Sequence, residues 1–162
     1  METTRNSGGV TARLDVTRLS VIAVLLYAVV AMPVQSFAQN PPGRTAIAPG
    51  KFFSGAIVAG DYIFLSGALA RGTDGKIVEG GIKAETKQVM ENLKAMLEKS
   101  GVSMGHVVKV TVFIKNPEDF PVMNEIYQSY FPTEPPARTT VVASFPVKEA
   151  NVEIEIIAYR VK

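Results

Sequence analysis

Pro135-Pro136-Ala137-Arg138-Thr139-Thr140-Val141 is the stretch of this chain best suited to hold a charge in a fixed place. Each proline fixes its own φ and pushes the residue before it out of the α region. The β-branched run Thr139-Thr140-Val141-Val142 then predicts a strand. Arg138 is thus expected where a rigid loop enters a sheet, and a guanidinium held there can grip a planar carboxylate through two parallel hydrogen bonds. Spacing alone favours an ordinary solvated arginine at a strand end. A second group of charges lies in Val152-Glu153-Ile154-Glu155-Ile156, whose strict alternation sends both carboxylates to one side of a final strand. On a solvated face they are surface charges; in a cleft, one of them could hold or activate a water.

Other chemistries find less support. The chain has no cysteine, which excludes disulfides, thiol catalysis and Cys metal sites. His106 is the only histidine and has no partner set for a metal, so a helix-end or surface role is expected. Ser54, Ser66 and Ser144 stand in no triad context. Gly72-Thr73-Asp74-Gly75 lacks the Lys-Ser/Thr ending of a phosphate loop.

The elements that must position Arg138 and the glutamates follow from periodicity. Lys51 to Ala59 reads as a first strand, Gly60-Asp61 as a two-residue hairpin turn, and Tyr62 to Ala68 as a second strand, apolar enough to be covered on both faces. Ile82, Thr86, Val89, Met90, Leu93, Met96 and Leu97 recur at helical spacing over Gly81 to Ser100, with Gly101 as the stop. This stripe is core packing. Val107 to Ile114 is a third strand. Asn116-Pro117-Glu118-Asp119 opens a second helix, with Asn as cap and Phe120, Met123, Ile126, Tyr127 and Tyr130 as its inner stripe. Thr139 to Ala143 and Val152 to Tyr159 complete the order β-β-α-β-α-β-β. That order predicts an α+β domain with two helices on one face of a single sheet.

Composition sets the boundaries. Arg5, Arg13 and Arg18 precede the apolar run Leu19 to Val34, and Ser36-Phe37-Ala38 ends it with small residues two apart. This pattern predicts a secretory signal peptide over residues 1–38, cleaved after Ala38, and hence a periplasmic or secreted protein with no membrane contact after cleavage. An uncleaved anchor fits less well, because the run is shorter than a spanning helix and Pro33 interrupts its end. Residues 39–46, rich in Pro and Gly, read as a flexible linker ordered only near Ile47, and residues 47–162 as the folded domain. The whole chain carries a formal +2; without residues 1–38, 14 basic face 13 acidic side chains. Such a balance gives no nucleic-acid footprint.

The segments Phe53-Ser54-Gly55-Ala56-Ile57, Gly60 to Gly67, Val107 to Phe113, Pro136-Ala137-Arg138-Thr139 and Val152-Glu153-Ile154-Glu155 together resemble the RidA/YjgF family of reactive-intermediate deaminases over residues 47 to 160. The resemblance implies a chorismate-mutase-like fold and a homotrimer with clefts at the subunit interfaces. It also implies hydrolysis of short-lived 2-imino (or enamino) acids to 2-keto acids and ammonia, with no metal or cofactor. Arg138 would then grip the substrate carboxylate and Glu153 would position the attacking water. The Gly67 backbone would contact the imine end, with Thr140 and Asn124 lining the cleft. Two positions depart from the family pattern: Phe53 falls where a tyrosine is usual, and Gly55 where a glutamine is. The first leaves room for an alternative, a non-catalytic keto-acid-binding trimer. A chaperone-like protein acting through its surface, indifferent to Arg138, is a further alternative.

Overall fold

Alternation decides most of this architecture. The structure, a computed structural model, describes residues 43–160; the expected signal peptide and the first residues of the expected linker lie outside them. Seven strands form one sheet: β1 (Arg44–Pro49), β2 (Ser54–Ala59), β3 (Tyr62–Leu65), β4 (Ala68–Leu69), β5 (Val107–Ile114), β6 (Ala137–Val142) and β7 (Val152–Tyr159). Their order is β1-β2-β3-β7-β5-β6, with β4 also pairing β7. Two helices, α1 (Gly81–Lys99) and α2 (Phe120–Gln128), pack on one face and on each other. Along β5 and β7 the residues turned to the helices are buried: Val110, Val112 and Ile114 face the core beside Val152, Ile154 and Ile156. They meet Val89, Met90, Leu93 and Leu97 of α1 and Met123 and Tyr127 of α2. The expected α+β class, with both helices on one face, is the one observed.

Three local expectations need correction. The Pro- and Gly-rich segment expected to stay unordered to residue 46 enters the sheet at Arg44, because Arg44-Thr45-Ala46-Ile47 pairs antiparallel with Ala56 to Ala59. Hydrogen bonding to a neighbouring edge overrides a composition that reads as linker. The first predicted strand begins at Ser54 instead of Lys51, since Gly50 N–H bonds back to the Phe53 carbonyl at 2.9 Å and closes a turn. The second predicted strand is broken after Leu65: β3 pairs β2, then Ser66-Gly67 steps aside and β4 pairs β7. Nor is β3 covered on both faces, for Tyr62 and Phe64 are more than 40 % exposed within the protomer. With Tyr159 they form an aromatic cluster on the face away from the helices, centroids 5.5 and 6.4 Å from Tyr62.

The hairpin at Gly60-Asp61 forms as expected, with Gly60 at φ 60° where a side chain would be strained. The second helix starts one turn later than expected, after a short 3-10 turn over Pro117–Asp119. β6 lies parallel to β5, and α2 is the crossover between them.

Candidate functional site

Arg138 is the second residue of β6, one place inside the strand and not in the loop before it. Its register partner on β5 is Val110, a fully buried core residue, so Arg138 rises on the helix side of the sheet at its edge. There the side chain enters a cavity of about 460 Å³ lined by Asn124, Tyr127 and Gln128 of α2, by Phe131 and by the prolines of the following loop. Its Cζ lies 4.6 Å from the centre of the Tyr127 ring and 5.7 Å from that of Phe120.

Glu153 is on the opposite face. Its partners across the ladder are Phe113 and Leu69, one step out of phase with the buried residues of β5. It lines a second cavity, about 580 Å³, together with Phe53, Ser66, Gly67, Arg71, Asn92 and Val147. The carboxylate lies against the Gly67 backbone so closely that a Cβ at position 67 would come within 2.9 Å of Glu153 Cδ and overlap an oxygen. That contact explains why position 67 is a glycine: the carboxylate stands where a side chain would be, at the step between β3 and β4. Burial, reinforced by repulsion from Glu155, pushes the Glu153 carboxyl above the usual carboxylate range. A raised pKa makes a carboxylate a better proton acceptor once it is ionised.

The second cavity is braced by polar contacts. Asn92 Nδ2 on α1 donates to the carbonyls of Leu69 and Arg71, both at 3.0 Å, while Gln88 Nε2 donates to Asn92 Oδ1 at 2.9 Å. Ser66 Oγ donates to the Ser54 carbonyl at 2.7 Å. At the start of β7, the buried carboxylate of Glu85 on α1 accepts the Asn151 N–H at 2.8 Å and the Asn151 side-chain amide, two residues before Glu153.

Of the residues expected in the site, the structure therefore joins Arg138 with Asn124, and Glu153 with Gly67 and Phe53. It does not join the two sets within one protomer. Thr140 lies in a third groove with Pro117, Phe120, Val141 and Val142, whose Phe120 ring is shared with Arg138's surroundings. Gly55, read as the loss of a polar residue, instead faces Met96 and Ala48; an added Cβ would sit 2.7 Å from Met96 Cε. His106 takes a helix-end role, its Nδ1 within 3.0 Å of Ser103 Oγ at the turn before β5.

Sequence reasoning missed three contributors. Tyr127 reads from the sequence only as part of a core stripe, and neither Asn92 nor Glu85 is singled out by it. A signal for Glu85 existed: it stands three residues after Ile82 and four before Val89, on the apolar face of the helix.

The family described as Endoribonuclease L-PSP matches residues 43–160. A "RutC family protein" of Pyrococcus horikoshii is 44 % identical over 125 residues, covering 76 % of this chain and 95 % of that protein. A "2-iminobutanoate/2-iminopropanoate deaminase" of Dermatophagoides farinae is 42 % identical over 107 residues, 65 % of this chain and 83 % of the relative. The crystal structure of the YjgF gene product from E. coli superposes with a TM-score of 0.65 at 31 % identity, covering 72 % of this chain and 94 % of that one.

Proposed function

Because the chain belongs to the RidA/YjgF family, described as Endoribonuclease L-PSP, we propose that it hydrolyses reactive 2-imino acids and does so in a site shared between two copies. The observation that carries the reading is the division of the charged groups. Arg138 opens a cavity on one face, Glu153 a cavity on the other, and neither cavity holds both. A second copy that brings its Arg138 cavity against the Glu153 cavity completes the constellation, and the exposed aromatic face of the sheet supports association of copies.

In such a cleft the guanidinium takes the substrate carboxylate bidentately. Glu153 accepts a proton from water as the water oxygen bonds to the imine carbon. Glu153 passes that proton to the imine nitrogen, giving the carbinolamine, and then relays the hydroxyl proton to the same nitrogen as the C–N bond breaks, releasing ammonia and the 2-keto acid. Positioning supplies much of the rate, since an imine is already electrophilic. Phe53 at the rim of the Glu153 cavity has no hydroxyl, and this favours a second reading, a keto-acid-binding trimer without turnover. Tight pyruvate binding with no ammonia release from 2-iminopropanoate would select it.

The test uses two variants, Arg138→Ala and Glu153→Gln, each expected to abolish ammonia release from 2-iminopropanoate generated in place by an amino-acid oxidase. If each site takes one group from either copy, equal mixtures refolded together regain about a quarter of wild-type activity, the share of interfaces that pair the two intact halves. No recovery in the mixture would place both residues in one protomer's site and overturn the shared arrangement.

Export belongs to the same proposal. It is supported by the basic start, the Leu19–Val34 apolar run and Ser36-Phe37-Ala38, and intact mass of the exported protein beginning at Gln39 would be the expected result.

A further inference from the structure

Arg138 makes no side-chain hydrogen bond and no ion pair with any described residue. Rings surround it instead. Tyr127 is only 5 % exposed, packs against Phe131 with centroids 4.9 Å apart, and carries a buried hydroxyl with no hydrogen-bond partner. Burial raises the hydroxyl's pKa, with Arg138 opposing, so the ring stays a neutral phenol. Since that hydroxyl bonds to no described residue, the useful part of Tyr127 is its face, which lies under the guanidinium. Phe120, two turns earlier at the start of α2 and 39 % exposed, reaches the same group from the rim.

We propose that Tyr127 and Phe120 are the positioning residues of the carboxylate clamp: a two-ring platform that holds the Arg138 guanidinium and leaves its donors free for the ligand. The proposal rests on the reading of Arg138 as that clamp. An arginine placed in the usual way, by a carboxylate, is neutralised and has its fork occupied. A ring attracts the cation through its quadrupole and accepts none of the five N–H groups in the conventional sense. The attraction grows as water is removed, so a buried ring holds better than an exposed one. Tyr127 should therefore matter more than Phe120. A lysine would not serve, because it lacks the planar fork that bonds a carboxylate twice.

Two readouts on the full chain test this. In the free protein, the Arg138 side-chain N–H and Cδ protons should resonate upfield of ordinary arginine values through the ring currents. The shift should fall in Tyr127→Leu and Phe120→Leu and persist in Tyr127→Phe. In calorimetry with pyruvate as probe, Tyr127→Leu should weaken Kd about tenfold and Phe120→Leu about threefold, with Tyr127→Phe restoring wild-type affinity. The KM for 2-iminopropanoate should rise by the same factors with kcat little changed, a split that general destabilisation would not produce. If Tyr127→Leu does not fold, Phe120→Leu, at a part-exposed position, decides. Wild-type Arg138 signals at ordinary values, or pyruvate affinity indifferent to both ring substitutions, would overturn the platform. Failure of pyruvate to bind the wild type at all would instead sink the clamp reading, and the ring-current shifts would still judge the platform.

Discussion

The two charged cavities are built by opposite means. Around Arg138 the walls are mostly rings and prolines, with Asn124 and Gln128 beside them, and no described side chain accepts a hydrogen bond from the cation. Around Glu153 the frame is hydrogen-bonded backbone: Asn92 holds the carbonyls of Leu69 and Arg71, Ser66 ties back to Ser54, Glu85 anchors Asn151, and Gly67 yields the space. The difference follows from acid–base chemistry. An arginine keeps its charge in apolar surroundings because its pKa is far above neutrality, so rings can place it without changing its state. A carboxylate in the same surroundings would take up a proton. Placing it by steric fit against a glycine, with the polar bonds going to its neighbours, leaves it half-exposed and able to titrate.

That contrast can be broken at three places. Gly67→Ala drives a Cβ into the Glu153 carboxylate and should cut kcat by about 10²-fold, the effect of roughly 1 Å of misplacement at a reacting group. Pyruvate binding, read at Arg138, should hold near wild type; equal loss of both would mean that the two cavities are not separable functions. Glu85→Ala leaves two Asn151 donors buried without an acceptor and should lower stability by about 2 kcal/mol in denaturant unfolding. A midpoint unchanged from wild type would show that water replaces the carboxylate there. The smallest effect is expected of Glu155→Gln. Burial first, and Glu155 second, raise the Glu153 pKa, and catalysis needs the ionised form. The acid limb of kcat/KM should therefore lie above the ordinary carboxylate value. Removing the Glu155 charge should move that limb to lower pH, and a limb that stays put would mean another group controls it.

Much of this frame was legible in the chain. β5 and β7 are found at their predicted limits, and α1 nearly so, because β-branched alternation and a three-to-four spacing survive any context. β1 was hidden by Pro41, Pro42 and Gly43 before it, by Pro49 at its end and by Gly50 after it, although Arg44 to Ile47 alternates weakly. The break at Ser66-Gly67 was not readable, since the partner that β4 takes up after it, β7, lies more than eighty residues away in the chain. The site residues were legible through family resemblance more than through pattern. Arg138 by spacing alone looked solvated, and nothing local tells a stacking Tyr127 from a packed one. That distinction exists only once β6 is laid beside α2.

The position of β7 has a consequence for how the molecule comes into being. The last of the seven described strands in chain order is a central one, flanked by β3 on one side and β5 on the other, with Tyr62 paired to Tyr159 across almost the whole domain. Until it arrives, the nascent chain can form only the β1-β2-β3 meander and the β5-α2-β6 unit, two half-sheets with unsatisfied inner edges. Closure of the sheet therefore waits for β7, a long-range pairing of the kind that makes folding slow. A chain halted before Val152 would lack Glu153 and also the strand that joins its two halves.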